Sequence, residues 1–158
     1  MKTTLDRIDR QILALLQKDA RLSNKELAAR VDLAPSSCLA RVQRLRDAGV
    51  LRGFHAFVDP QALGVGIQAL IAVRLRQHSR EKVRAFMKHL LGLPEVVALY
   101  HVTGDMDFQV HVAVKNPDHL RDLALDAFTT RTEVESIRTA MLFETKWKDV
   151  WPDYGEQL

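Results

Sequence analysis

The spacing of the apolar residues changes at one place in the chain, and this change limits the fold more than any other feature. Before that place, apolar side chains recur every three or four positions, which is typical of short amphipathic helices. After a segment containing Pro60, Gly64 and Gly66, runs that alternate apolar and polar residues are interleaved with helical ones. We therefore expect two domains, residues 1–58 and 67–158, joined by a hinge at residues 59–66.

The first domain is predicted to contain three short helices. The first has an inward apolar stripe and an outward polar face that includes Asp9. Ser23 and Glu26 have the spacing of a capping box, which predicts a second helix from about Asn24 to Val31. Proline suits the first turn of a helix, so the third is predicted from Pro35 to Ala48. The run from Leu51 to Val58 is typical of a strand.

The second domain is predicted to be α+β, with the order βαββαβ of a ferredoxin-like sheet. Both helices of that arrangement cover one face of an antiparallel sheet. The predicted strands are Ile67–Leu75, Val96–Val102, Phe108–Val114 and Val134–Glu144; the predicted helices are Ser79–Leu91 and the segment that Asn116 and Pro117 begin.

The sheet's second face is also predicted to be apolar. Leu70 and Ala72 lie on it in the first strand, and other strands add further apolar residues. Since two helices can cover only one face, we expect a second subunit on the other. Trp147 and Trp151 in the C-terminal tail are interpreted as further subunit contacts.

The charge is divided unevenly between the two parts. The whole chain has a formal charge of +3, but residues 1–52 carry +5 and the remainder carries −2. A basic first domain indicates that this part faces a polyanion.

The predicted third helix has the features of the recognition helix in a helix-turn-helix. Its apolar stripe consists of Cys38, Leu39, Val42 and Leu45. Serine can contact phosphate or bases, and arginine can bind guanine or phosphate through two nitrogens. The alternative is an ordinary solvated helix surface. The residues predicted to face DNA are Ser36, Ser37, Ala40, Arg41 and Arg44, with Gln43 also outward.

The turn from Thr103 to Asp107 is the strongest candidate for a small-molecule site. Gly104 and Asp105 suit a tight hairpin, and this alone could explain the motif. The functional hypothesis is that its exposed amides and the carboxylates of Asp105 and Asp107 bind a zwitterion or an amine.

Other classes of protein are disfavoured. The six histidines and the one cysteine form no metal-binding spacing, and no nucleophile motif or phosphate-binding loop is present. We therefore predict no enzyme, no metal and no cofactor. No apolar run is long enough to cross a bilayer, and the charged N-terminus is not that of a signal peptide, so we expect a cytoplasmic protein.

These residues resemble the Lrp/AsnC (feast/famine) family of transcriptional regulators. The matching motifs are L-D-x-I-D-x-x-I-L, R-x-S-N-x-E-L-A, C-L-x-R-V-x-R-L and G-V-L-R-G in the first domain, and T-G-D-M-D-F in the second. The resemblance implies a winged-type helix-turn-helix, a hinge strand and a ferredoxin-like (RAM-type) effector domain. It also implies double-stranded DNA as partner, an amino-acid effector, dimers that assemble further into octamers, and an effector region that includes Thr103, Gly104, Asp105 and Asp107.

One position departs from the family pattern. Ala34 stands before Pro35 where many relatives have serine, which removes a side-chain cap worth about 1 kcal/mol. Two alternatives for the function remain open: an effector-independent architectural protein that bends DNA, and an enzyme built on the ferredoxin-like domain. The latter would keep its activity after deletion of residues 1–58.

Overall fold

A computed structural model describes residues 4–77, 79–148 and 150–155 of the chain. The chain divides into two compact units: Met1–Phe57 together with Lys146–Leu158, and Val58–Thr145. No helix in the described ranges is both long and apolar enough to cross a membrane.

The first unit contains helices α1 (Arg7–Lys18), α2 (Asn24–Arg30) and α3 (Pro35–Asp47). Two of them begin with reciprocal capping boxes, formed by Asp6 and Asp9 in α1 and by Ser23 and Glu26 in α2. The Ser23 box was predicted from spacing, and it is confirmed. Each helix is too short to be stable alone, so all three depend on a shared core. That core consists of Ile12, Leu16, Leu27, Ala28, Val31, Cys38 and Leu45.

The prediction of a strand at residues 51–58 is wrong, because this segment has no regular secondary structure. A strand needs a neighbouring strand to accept its backbone hydrogen bonds. Leu51 packs on the helical core, whereas Phe54 and Phe57 are exposed, Phe57 by 78%. The apolar pattern here therefore does not describe a buried strand within the subunit.

The second unit has the predicted ferredoxin-like order. Its elements are β1 (Ile67–Leu75), α4 (Arg80–Leu91), β2 (Val96–His101), β3 (Phe108–Val114), α5 (Pro117–Leu123) and β4 (Val134–Leu142). The π-helical segment Ala124–Thr129 continues α5. The strands form one sheet in the order β2-β3-β1-β4, and every neighbouring pair is antiparallel.

One face of this sheet packs against the helices. Ile71 on β1 lies opposite Val110 on β3, and both are fully buried with Phe86, Phe108 and Phe128. The opposite face, which we call the open face, is mixed in character. Its members include Leu70, Ala72, Ala98, Tyr100 and Leu142, together with the polar Gln68, Gln109, His111 and Arg138.

The C-terminal tail groups with the first unit, although we expected residues 67–158 to form one domain. Gln17 on α1 accepts a hydrogen bond of 2.8 Å from the Trp151 backbone amide, and Arg10 forms an ion pair with Asp153. Polar contacts of this kind, between residues more than a hundred positions apart, leave no periodic signal in the sequence. The side chains of Trp147 and Trp151 are exposed by 60% and 82%.

Candidate functional site

Helix α3 presents the side chains that were predicted to face outward. Ser36, Ser37 and Ala40 are exposed, and the Arg44 side chain is about half exposed, while that of Arg41 is more sheltered. Cys38 and Leu45 are completely buried on the other side of the helix. The structure therefore brings the predicted DNA-facing residues to one exposed surface of the first unit.

Leu39 corrects the predicted apolar stripe, because it is exposed by 57% rather than buried. Leu39 lies about 100° around the helix from Cys38, on the side of α3 that faces away from the core. Leu39 thus adds an apolar side chain to the exposed surface of α3. An apolar side chain at such a position can contact the methyl group of thymine.

The N-terminus of α3 has no side-chain cap. Ala34 occupies the N-cap position and contributes no capping hydrogen bond, as the sequence indicated. The first backbone amides of a helix have no partner within it, and together with the helix dipole they favour an anion. The Asn24 side chain of α2 donates to the Pro35 carbonyl oxygen over 2.7 Å, which ties this end of α3 to α2.

Arg41 and Arg44 are engaged by two acidic residues of the α1 N-terminus. Arg44 Nη2 lies 2.6 Å from both carboxylate oxygens of Asp9. Arg41 Nη1 lies 3.0 Å from Asp9 Oδ1 and 2.5 Å from Asp6 Oδ2. We call these four residues the acid–arginine cluster. Asp9 is completely buried, which corrects its predicted outward position.

The electrostatics of this cluster are dominated by its hydrogen bonds. The bond from Arg41 holds the pKa of the Asp6 carboxyl below its usual value, and the same bond raises the pKa of Arg41. Asp6, Ala40, Arg41 and Arg44 line a shallow groove of about 380 Å³. Both arginines therefore lie at the edge of a shallow surface depression.

Cys38 is buried on the inner side of α3. Burial disfavours the charged thiolate and raises the pKa of the thiol. The residue acts as a small apolar core side chain, in agreement with the interpretation preferred from the sequence.

The turn between β2 and β3 carries the predicted effector residues. Thr103, Gly104 and Asp105 are exposed, and Gly104 has a φ of +112°. This φ lies in the range that only glycine adopts easily, so the sharp turn explains Gly104. Asp105 presents its carboxylate to solvent, where it could accept hydrogen bonds from an ammonium group.

Asp107 differs from its neighbours, because it is tied to the sheet. Its Oδ2 accepts a 2.7 Å hydrogen bond from the Leu75 amide, and its own amide donates to the Val73 carbonyl oxygen over 2.8 Å. Asp107 therefore holds the turn against the end of β1. The four residues proposed as effector contacts thus divide into an exposed group of three and one anchoring residue.

The histidines do not form a metal site in the described ranges, where no group of three His, Cys, Asp or Glu side chains could hold an ion. His101 stacks on Phe108 with the ring centres 4.8 Å apart. His111 is buried on the open face, where its Nε2 lies 2.9 Å from Gln68 Oε1. Burial lowers the pKa of this imidazole. The two histidines, which could have approached each other across the turn, contact different residues.

Asp6, Asp9 and Leu39 are the residues of this surface that sequence reasoning missed. The signal for the two acids is their three-residue spacing on α1, which matches that of Arg41 and Arg44 on α3. Leu39 has no comparable signal, because neighbouring helical residues can both be buried, as Leu27 and Ala28 are in α2.

Two family models match the chain, one over its first third and one over most of the remainder. Residues 5–52 match a winged helix-turn-helix DNA-binding domain, and residues 68–152 match the Lrp/AsnC ligand binding domain.

Individual relatives align over nearly the whole chain. The HTH-type transcriptional regulator AldR of Mycolicibacterium smegmatis is 41% identical over 140 residues, which cover 89% of this chain and 82% of the relative. The leucine-responsive regulatory protein of Rhizobium meliloti is 34% identical over 141 residues. The alignment covers 89% of this chain and 90% of that protein. A transcriptional regulator of Neisseria meningitidis, solved in complex with L-Met, has a TM-score of 0.81 at 30% identity; the match covers 89% of this chain and 91% of that one.

Proposed function

Since the chain belongs to the Lrp/AsnC family of DNA-binding transcriptional regulators, we propose that it reads its operator with α3 in the major groove. The observation that carries this proposal is the surface at the start of α3. Ser36 and Ser37 are exposed beside helix amides that lack a side-chain cap. The proposed DNA contacts are Ser36, Ser37, Ala40, Arg41 and Arg44.

Each part of this surface has a distinct interaction with DNA. The amides and hydroxyls at the N-terminus of α3 suit a phosphate of the backbone. Arg41 and Arg44 can bind a phosphate or the O6 and N7 atoms of guanine. Leu39 and Ala40 supply the apolar contacts that distinguish thymine.

Ser36→Glu tests this surface. We expect it to weaken binding of an operator duplex, selected by the wild-type protein from random sequences, at least about tenfold, because the new carboxylate meets phosphate. Acidic residues in the first turn stabilise a helix, so unfolding would not explain the loss. Ala14→Glu, at an exposed position on α1, is the matched control and should bind normally. Equal affinities in fluorescence anisotropy would place the DNA contact elsewhere.

We propose further that the protein acts as a homodimer or a higher assembly such as an octamer. Leu70, Ala72 and Leu142 make the open face of the sheet suitable for a second copy. A dimer would present two α3 helices to successive major grooves, with half-sites about 34 Å apart or at a multiple of this spacing. The exposed tail tryptophans are proposed as additional subunit contacts.

We infer that the effector is an amino acid bound at the turn Thr103–Asp107. One relative is named a leucine-responsive protein, and a related structure contains L-Met. Asp105 offers a carboxylate for the ammonium group, and the exposed turn offers backbone amides for the carboxylate. Effector binding would change either the state of assembly or the conformation of the hinge at residues 59–66. This requires that the effector bind the two states of the protein with different affinities. Transcription control on DNA in the cytoplasm, rather than catalysis, is the proposed activity.

A thermal-shift screen of the L-amino acids tests the effector. At a concentration about 100 times its Kd, a ligand that binds only the folded state stabilises it by about 2.7 kcal/mol, which raises Tm by several degrees. The same amino acid should change affinity for the selected operator. If no amino acid shifts Tm and footprints spread without a defined motif, the protein is instead an effector-independent architectural protein.

A further inference from the structure

The acid–arginine cluster holds the two arginines of α3 in a fixed arrangement. Asp9 is completely buried and accepts hydrogen bonds from both arginines and from the Asp6 backbone amide. Asp6 accepts from Arg41 and, across the capping box, from the Asp9 amide. The cluster therefore joins the start of α1 to the exposed side of α3 through contacts between side chains 32–35 positions apart.

The cluster is also electrically balanced, since two carboxylates face two guanidinium groups. A phosphate that approaches Arg41 has to compete with Asp6, whose side chain is 53% exposed, for the same Nη1 atom. Arg44 is bound by the buried Asp9 but remains 48% exposed. The two arginines thus reach the DNA-facing surface while their attraction for a phosphate at an arbitrary position is weakened.

We propose that Asp6 and Asp9 are specificity-determining positioning residues, which restrain Arg41 and Arg44 so that they favour the operator over other DNA. This inference rests on the proposed DNA surface of α3. At the operator, the fixed guanidinium groups meet acceptors that match their positions, and little side-chain freedom is lost on binding. On other sequences the carboxylates compete with the phosphates and limit the sequence-independent part of the affinity.

The salt dependence of binding is the property that this arrangement controls. Each arginine that neutralises one phosphate adds about 0.9 to the slope of log Kobs against log salt on duplex DNA. An arginine released from its carboxylate is able to make such a contact at any sequence. Loss of an acid should therefore steepen the slope on non-operator DNA and reduce the ratio of operator to non-operator affinity.

Asp9→Asn and Asp6→Asn in the full chain test the inference. Anisotropy is measured with the selected operator duplex and a scrambled duplex between about 50 and 200 mM salt. We expect the slope on the scrambled duplex to steepen by up to about 1 for Asp6→Asn and up to about 2 for Asp9→Asn. The affinity ratio should fall several-fold in both.

Glu26→Gln is the matched control. Glu26 occupies the same third position of a capping box, in α2, and its carboxylate bonds Ser23 rather than an arginine. The substitution removes one negative charge from the same unit, so it measures the general effect of charge. The inference requires that both aspartate variants change the salt slope and the affinity ratio more than Glu26→Gln does.

The inference is overturned if the folded aspartate variants match Glu26→Gln in slope and in affinity ratio, even if Asp9→Asn lowers the unfolding midpoint. If Asp9→Asn does not fold, Asp6→Asn decides alone, because Asp6 is exposed and asparagine is an equally good N-cap. Failure of the DNA surface itself is recognised separately, since Ser36→Glu would then bind the operator normally.

Discussion

Arg44→Glu is expected to destabilise the first unit by about 3 kcal/mol or more, in addition to abolishing DNA binding. The substitution removes a guanidinium whose Nη2 lies 2.6 Å from both oxygens of the buried Asp9 carboxylate. It then adds a carboxylate beside Asp6 and Asp9, so Arg41 is left to balance three acidic groups. Small units of this size have little stability in reserve, and such a loss populates the unfolded state.

Arg46→Glu provides the comparison, because Arg46 lies exposed on the same helix and the substitution changes the charge equally. Its cost should be at most about 1 kcal/mol, from the lost interaction with the helix dipole. Urea unfolding can be followed by far-ultraviolet circular dichroism and by fluorescence, since both tryptophans belong to the first unit. Equal midpoints for the two variants would contradict a structural role for the Arg44–Asp9 contact.

Asp107→Ala is expected to destabilise the second unit by about 2 kcal/mol and to weaken any effector response. The Leu75 amide loses a charged acceptor at 2.7 Å, and the backbone bond from the Asp107 amide to the Val73 carbonyl oxygen remains. The effector response is weakened because the turn is held less firmly, so the variant combines a folding defect with a regulatory one. Thermal unfolding and the effector dependence of operator affinity measure the two effects.

Asp105→Ala separates these two effects. Asp105 is exposed in the same turn, and its removal should change stability by less than about 0.5 kcal/mol. If Asp105 binds the effector ammonium group, the response should nevertheless be blunted while basal DNA binding persists. An unchanged response in a stable Asp105→Ala protein would show that the turn has only a structural role.

Several elements follow from signals within a few residues of one another. The Ser23–Glu26 capping box marks the start of α2, and Asn116 caps the helix that Pro117 begins. The apolar run Ile67–Leu75 predicted β1, and the alternation of apolar residues predicted β3, both with the observed bounds. Such signals depend on local backbone geometry and on which face is buried, and both leave a regular period in the chain.

Other predictions were wrong, and other features were missed, because these features depend on residues distant in the chain. Asp9 resembles an outward polar residue until α3 brings two arginines to it. Residues 51–58 have the composition of a strand but no regular structure in the subunit. The tail contacts Gln17 through a backbone amide, for which no pattern exists.

For this chain, the order of most helices and strands, the two-part organisation and the exposed outer side of α3 could be predicted from local patterns and family motifs. The separate roles of the charged residues could not be predicted in this way. Arg41 and Arg44 look like DNA contacts in the sequence, but in the folded unit they also neutralise a buried carboxylate. Asp105 and Asp107 look equivalent, but only Asp107 is bound to the neighbouring strand. The physical reason is that a buried charge needs a partner, and chain folding alone determines which distant residue supplies it.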